Sequence, residues 1–373
     1  VTGDEGWVEE LAALAAAGSW DPSAGDAEGH RRLLVGMLER GASVEELKTH
    51  SRRLGDLATD LDIRPRAGMV SLSQAATAAG VTLDDALTTW RALGFTEADP
   101  EAPSLTPGEA ELLRLKADMA STLGEAVTLQ LVRTMSTGLA RLAQAERDAM
   151  RIGVEVPQLS SGSSYGEIMQ EYWRIIGDVL PRVDAALAAV HRRQIAIQIR
   201  QEWSTDEAGT TATTELTVGF ADLVGFTERS QAMTTTELAA AVSAFDALAH
   251  DVVNEHGGHV VKLIGDEVMF AAADAAAGTR VALALAAHEG AAALLPPLRV
   301  GLARGKVISR DGDYFGPVVN LASRLVDEAG PGEVWIAGAP EAVVSDDVAL
   351  EPLPPVRAKG FAEPQPVWRV VRG

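Results

Sequence analysis

The apolar periods along the chain predict an α+β protein, with an all-helical first half and a βαββαβ second half. Three observations carry this. Up to about residue 203, apolar residues recur at helical spacing. After residue 213 they alternate, with Leu216, Val218 and Phe220 on one side of an extended run that Asp222 continues. Two short apolar runs then end at aspartates beside glycines, Asp222 in Phe220-Ala221-Asp222-Leu223-Val224-Gly225 and Asp266 in Leu263-Ile264-Gly265-Asp266.

In the first half, Trp7 to Ala17 and Gly29 to Gly41 read as helices, and Ser43-Val44-Glu45-Glu46 carries a capping-box pattern. Ser71 to Gly94 reads as helix-turn-helix, with Gly80 at the turn and Gly94 as the stop. Thr106 is the expected N-cap of a longer helix, with Pro107 at its first position. Its expected apolar stripe is Leu113, Leu129, Val132, Met135, Leu139 and Leu142. Residues 157–164 read as a break, and Tyr165 to Trp203 as mostly helical, interrupted at Pro181.

In the second half a helix is expected over Thr234 to Glu255, ended by Gly257-Gly258. Strands follow at 259–264 and 267–271, joined at Gly265-Asp266. A helix over Ala275 to Ala291, strands at Leu298 to Ala303 and Glu333 to Ala337, a helix over Val318 to Ala329 between them, and a closing strand near Pro366 to Val371 complete the set. This order is the ferredoxin-like arrangement with additions. The expected boundaries are 1–203 for a helical domain including a connector at 165–203, 204–213 for a linker, and 214–373 for the mixed domain.

With 373 residues and 47% hydrophobic content the chain can build real cores. It has no cysteine, which rules out disulfides and thiolate zinc sites and fits a reducing cytoplasm, the expected location. No leader pattern is read, and no run of 18 apolar residues occurs, so a membrane span is not expected. A net charge of −21 argues against general nucleic-acid or anionic-membrane binding. A polyanionic substrate would need local cations or metal ions to offset that field.

Asp222 and Asp266 are suited to that. Two aspartates held at strand ends can grip a pair of divalent ions about 4 Å apart, the arrangement used for in-line phosphoryl chemistry.

Residues 213–372 resemble the class III nucleotidyl cyclases, through separated motifs in the same order. FADLVGFT resembles the first metal motif and KLIGDEVM the second; DYFGPVVNLASRL resembles the segment that holds base, ribose and transition state. VRAKGFAEP, with Arg357 and Lys359, resembles the C-terminal phosphate-binding segment. The resemblance implies an adenylyl cyclase that makes 3′,5′-cyclic AMP and pyrophosphate from ATP. Asp222, Asp266 and the Leu223 carbonyl would hold two Mg²⁺ or Mn²⁺ ions. Lys262 and Asp313 would read the base, since an ammonium can donate to adenine N1 and a carboxylate can accept from its N6 amine. Asn320 would orient the ribose and Arg324 would stabilise the α-phosphate in the transition state. Arg299 and Lys359 match triphosphate contacts.

The same resemblance implies a head-to-tail homodimer with two sites. Asp222, Asp266 and Arg299 would come from one subunit, and Lys262, Asp313, Asn320, Arg324 and Lys359 from the other. The helical half resembles, more loosely, the N-terminal regulatory region of soluble mycobacterial adenylyl cyclases, a pH-responsive one among them. His191, His250, His256 and His259 are the groups through which pH could act, and the helices at 107–150 and 165–200 could enclose an apolar ligand. Ser71 to Gly94 also resembles a MerR-type helix-turn-helix, but Asp84 and Asp85 open its second helix and would repel phosphates. Two other readings stay open: a guanylyl cyclase, which Lys262 and Asp313 disfavour, and a catalytically silent nucleotide- or DNA-binding regulator.

Overall fold

The computed structural model describes residues 5–51, 54–64, 66–96, 99–199, 204–205, 212–288, 295–338, 343 and 348–372. The chain divides into two compact units, Val1–Ile197 and Gln198–Gly373.

The first unit is helical. Its helices are α1 (Val8–Ala16), α2 (Ala27–Glu39), α3 (Val44–Thr49), α4 (Leu54–Ile63), α5 (Leu72–Ala79), α6 (Leu83–Ala92), α7 (Pro107–Leu123), α8 (Glu125–Met150), α9 (Val156–Ser160) and α10 (Tyr165–Gln198). The expected capping box at Ser43 and Glu46 forms, and Thr106 caps α7 with Pro107 in its first turn. Gly80 ends α5 in a left-handed conformation (φ 71°), so the helix-turn-helix is present. One apolar core joins α1 to α4 through Leu14, Leu33, Met37 and Leu47, and receives Ile168 and Met169 from α10. A second joins α5 to α8 around Leu72, Trp90, Leu105 and Leu113.

Three expectations need correction. The single helix after Thr106 is two, because Gly124 (φ 84°) takes a conformation that a side chain would resist, and it parts α7 from α8. Its stripe is therefore only partly a core stripe: Leu113 and Val132 are buried, while Met135 and Leu139 are 42% and 52% exposed. Residues 157–160 are helical, in a 5-residue α9 that follows α8 through a π-helical turn at Arg151–Glu155, just before Pro157. Pro181 does not interrupt α10, which runs through it. The end of the expected connector, 200–203, and linker residues 206–211 lie outside the described residues.

The second unit is built on one sheet. Its elements are β1 (Ser204–Thr205), β2 (Ala212–Leu223), α11 (Phe226–Ser230), α12 (Thr235–Glu255), β3 (Gly258–Ile264), β4 (Glu267–Ala272), α13 (Ala275–Ala286), β5 (Leu298–Arg310), β6 (Asp313–Phe315), α14 (Pro317–Glu328), β7 (Val334–Ala337), β8 (Val348–Val356) and β9 (Gln365–Arg372). The strand order is β3-β4-β2-β5-β7-β9-β8, with β1 on β2 and β6 on β5. The first four of these, with α12 and α13 as crossovers, are the ferredoxin-like βαββαβ core that the sequence predicts.

Alternation sends the strand side chains to two cores. Ala221, Leu223, Val268, Phe270 and Val300 pack with Phe245 of α12 and Val281 of α13. Val218, Phe220, Met269 and Ala303 pack with Leu321 and Leu325 of α14. α13 is described only to Ala286, and residues 289–291 of its expected span lie outside the described residues. β1, α11, β6 and β8 were not expected, and the expected linker is strand at 204–205 and 212–213, where β1 pairs with β2. β8 reads VALEPLPPV, and its three prolines disguise a strand that pairs with β9 at the end of the sheet, with Pro354 and Pro355 where the register shifts between Leu353 and Val356. Among the described residues no helix is long and apolar enough to cross a membrane.

Candidate active site

Register assembles the first cluster. Asp222 at the end of β2 lies opposite Glu267 on β4 and opposite Arg299 on β5, so three charged residues stand in one row across the sheet. The Arg299 guanidinium donates through Nε (2.8 Å) and Nη2 (2.7 Å), both to Oδ2 of Asp222, and through Nη1 to the carbonyl of Asp327 on α14 (2.9 Å). Asp266 stands in the β3–β4 turn, and its carbonyl accepts from the Leu223 N–H (3.1 Å), which ties the two acidic turns together.

α14 lies close on β5 because Gly301 lets it. A Cβ at Gly301 would come within 2.3 Å of the Val326 nitrogen and 2.5 Å of the Ala322 carbonyl oxygen. That approach brings Asp327 to Arg299 and sets Asn320 and Arg324 on the same helix.

Asp222 alone pairs its carboxylate with the guanidinium, while the charges of Asp266 and Asp327 bear on both Asp222 and Glu267. Burial raises the Asp222 carboxyl above its usual range; Arg299 opposes this, while Asp266 and Asp327 add to it. Glu267 is pushed up to about 7, first by burial and then by the charges of Asp222, Asp327 and Asp266. This is a site short of positive charge. Its oxygen-only donors suit a hard divalent cation such as Mg²⁺ or Mn²⁺. Among the described residues no three or more His, Cys, Asp or Glu side chains converge on one point, so Asp222, Asp266 and the Leu223 carbonyl would need oxygens from elsewhere to complete a coordination shell. Beside Asp266 opens a cavity of about 550 Å³, lined by Thr227, Ser230, Ser243 and Asp246 together with apolar residues such as Phe226 and Val242.

The second cluster lies on β3 and β6. The Lys262 ammonium is ion-paired with the Asp313 carboxylate, and Asp313 also accepts from the Tyr314 N–H (2.8 Å). The Tyr314 hydroxyl lies 3.2 Å from His259 Nε2, with the rings edge to face. Burial pushes His259 down, which favours the neutral ring. His256 makes a contact from Nδ1 to the Val252 carbonyl (3.0 Å), His250 sits 3.5 Å from Asp246, and His191 is exposed on α10.

The remaining expected residues are placed but not engaged with either cluster. Asn320 is exposed, and Arg324 pairs with Glu328 one turn on (2.6 Å). Lys359 is exposed in the turn after β8, where its neighbour Gly360 lies against Pro317 at the start of α14. The structure thus groups Asp222, Leu223, Asp266 and Arg299, and separately Lys262 with Asp313. Glu267 and Asp327 were not singled out from sequence. Asp327 had a signal, since Asn320, Arg324 and Asp327 are spaced four and three apart and share a helix face.

Residues 210–367 match the profile of the adenylate and guanylate cyclase catalytic domain. The chain is 35% identical over 335 residues to an uncharacterized protein of Mycobacterium tuberculosis, covering 89% of this chain and 88% of that one. It is 37% identical over 265 residues to an adenylate cyclase of Streptomyces coelicolor, covering 70% of this chain and 68% of that one. It is 27% identical over 358 residues to a pH-sensitive adenylate cyclase of Mycobacterium tuberculosis, covering 92% and 88% respectively.

Proposed function

Because the chain belongs to the adenylate and guanylate cyclase family, we propose that it converts ATP to 3′,5′-cyclic AMP and pyrophosphate at sites completed by two copies of the chain. The observation that carries the choice of substrate is the Lys262–Asp313 pair. An adenine edge meets both groups at once: N1 accepts from the ammonium and the N6 amine donates to the carboxylate. Guanine presents the reverse pattern.

Two divalent ions, when bound, acidify the ribose 3′-hydroxyl and hold the triphosphate. Asp222, Asp266 and the Leu223 carbonyl would hold them, beside the Arg299 guanidinium that donates to Oδ2 of Asp222. In the reaction the 3′-hydroxyl loses its proton, its oxygen bonds to the α-phosphorus, and the bond from that phosphorus to the bridging oxygen of pyrophosphate breaks. Asn320 orients the ribose for this in-line attack. Arg324 leaves Glu328 and donates to the α-phosphate as charge builds there. Arg299 and Lys359 hold the outer phosphates. Asp222, Asp266 and Arg299 serve a site whose Lys262, Asp313, Asn320, Arg324 and Lys359 come from the second copy. The helical residues 1–203 regulate the catalytic residues 214–373, through pH or an apolar ligand.

The test is cyclic nucleotide production by the purified chain with Mn²⁺ and either ATP or GTP. Cyclic AMP from ATP alone is expected, with loss on Asp222→Asn. Cyclic GMP as the main product, or no product from either nucleotide, would overturn the reading.

A further inference from the structure

His259 and Lys262 lie three positions apart on β3, a spacing that sends side chains to opposite faces of a regular strand. They nevertheless face the same way. Val260 pairs with Phe270 and Lys262 with Met269, so Val261 is an extra residue, a bulge in β3. The bulge restores the count. Lys262 stands opposite Met269 and His259 opposite Ala271, two positions apart on β4, and both partners belong to the core beneath α14. Tyr314 of β6 belongs to that core too.

β3 and β6 are not neighbours in the sheet, since β4, β2 and β5 stand between them. In a flat sheet, four spacings of about 4.8 Å would part them by about 19 Å. Side chains join them instead, as the β5–β6 hairpin curls toward β3. Lys262 is ion-paired with Asp313, and the Tyr314 hydroxyl meets His259 Nε2 at 3.2 Å. The two contacts are linked. The Tyr314 N–H donates to Asp313 Oδ1 (2.8 Å), while the Lys262 ammonium donates to Oδ2. His259, Tyr314, Asp313 and Lys262 thus close a ring that starts and ends on β3. β6 needs such a tie, because it is three residues long and its ladder is with β5.

We propose that His259 is a positioning residue for base selection: by engaging the Tyr314 hydroxyl it fixes β6 against β3 and so sets the distance between Lys262 and Asp313. This role rests on the reading of Lys262 and Asp313 as the pair that meets the base. A bound base engages the polar ends of both, so their mutual ion pair no longer sets their spacing. The contact between His259 and Tyr314 uses no atom of that pair's polar ends and stays in place. Burial favours the neutral imidazole, whose Nε2 can accept the phenol proton. The bulge at Val261 is what makes the tie possible, because without the extra residue His259 would point to the face of α12. Telling adenine from guanine needs a donor and an acceptor at a fixed separation against N1 and the exocyclic group. A loosened β6 therefore blurs selection before it abolishes binding.

The test is equilibrium binding of the α,β-methylene analogues of ATP and GTP to the full chain with Mn²⁺. In these analogues a carbon replaces the bridging oxygen of the bond that breaks, so the readout needs no turnover. The unaltered chain should prefer the adenine analogue. His259→Phe should shrink that preference about fivefold, the share of one hydrogen bond, through weaker adenine binding. His259→Gln, whose amide can again meet the hydroxyl, should bring it back to within about twofold. His259→Phe combined with Tyr314→Phe should do no worse than His259→Phe alone, since both remove the same contact. An unchanged preference in His259→Phe, an equal loss for both analogues, a Gln variant no better than the Phe variant, or losses that add in the double variant would each overturn the role. Melting curves identify a variant that fails to fold, and Tyr314→Phe, which loses only a hydroxyl, then carries the comparison with His259→Gln. An unaltered chain that binds neither analogue, or prefers guanine, would overturn the base-reading pair and the role of His259 with it. A chain that makes no cyclic AMP but binds in the expected pattern keeps His259 in its role and removes only the cyclase reading. Cyclic AMP synthesis with a preference indifferent to His259 does the reverse.

Discussion

Arg299 and Asp222 face each other in register across β5 and β2, and both guanidinium contacts, at 2.7 and 2.8 Å, converge on a single carboxylate oxygen. This cation sits where a divalent ion would also be held. Arg299→Gln should therefore move two constants in opposite directions. Half-activation by Mn²⁺ should need less metal, because the carboxylates lose their competing charge. The KM for ATP should rise about tenfold, since a charge-assisted hydrogen bond is worth about 1.5–3 kcal/mol. A Mn²⁺ titration of initial rates at two ATP concentrations separates them; both constants moving the same way would remove this competition.

Asp222→Asn addresses the same cluster from the side of stability. Burial raises the Asp222 carboxyl and crowding by Asp266 and Asp327 adds to it, so the folded chain disfavours its charge even beside Arg299. If Asp222 holds a cation as proposed, the variant should lose nearly all cyclase activity. Its melting temperature without metal should hold or rise. A fall of several degrees would mean that the carboxylate is a structural ion-pair partner first.

Beside the Lys262–Asp313 pair, Tyr314 on the same short strand reaches His259. Tyr314→Phe removes only the hydroxyl that meets His259 at 3.2 Å, leaving Lys262 and Asp313 in place. β6 is three residues long and pairs only with β5, so this contact helps to fix it against β3. The expected result is a preference for ATP over GTP weakened about fivefold, the equivalent of ~1 kcal/mol for one hydrogen bond, seen in KM with kcat within about twofold. A change confined to kcat would place Tyr314 in the chemistry itself.

These residues differ in how far sequence reveals them. Asp222 and Asp266 were legible because each ends an apolar run, and alternation places Asp222 on the face of Phe220 whatever the rest of the fold. Glu267 was not, because its place opposite Asp222 comes from the long-range pairing of β4 with β2, and no local pattern shows that. The helix break at Gly124 was hidden because a glycine inside a helical period reads as a tolerated defect, and only its φ of 84° makes it a terminus. β8 was hidden by prolines that an end strand accommodates.

In the helical unit, Glu109 gives a prediction on pH. Burial would raise its carboxyl, but the Thr106 N–H (2.7 Å) and the Arg64 guanidinium outweigh this and hold it below 4.5. A carboxylate depressed in the folded state contributes stability that is complete above its unfolded value and lost as pH falls through its folded one. The melting temperature of the full chain should drop below about pH 4.5 more steeply than that of Glu109→Gln, with the two curves parallel from pH 5 to 7. A difference that persists unchanged down to pH 3 would mean that the cap, not the charge, is what Glu109 supplies.

Gly301 tests whether α14 must lie where it does. The residue is in the middle of the sheet on β5, and an added Cβ would meet backbone, the Val326 nitrogen at 2.3 Å and the Ala322 oxygen at 2.5 Å, so no side-chain rotation can make room. α14 would have to lift from β5, taking with it the Asp327 carbonyl that receives Arg299 and the helix that carries Asn320 and Arg324. Overpacking of this kind costs about 1–3 kcal/mol, or roughly 2–4 °C per kcal/mol for a unit of this size. Gly301→Ala should therefore fold, melt several degrees lower, and lose more activity than the stability change explains, because the geometry at Arg324 shifts. Gly138→Ala on α8 is the control: nothing lies within 4 Å of its Cβ position, and a mid-helix alanine should hold or raise the melting temperature. If Gly301→Ala kept full activity while its melting temperature fell, the position of α14 would matter to the fold and not to catalysis.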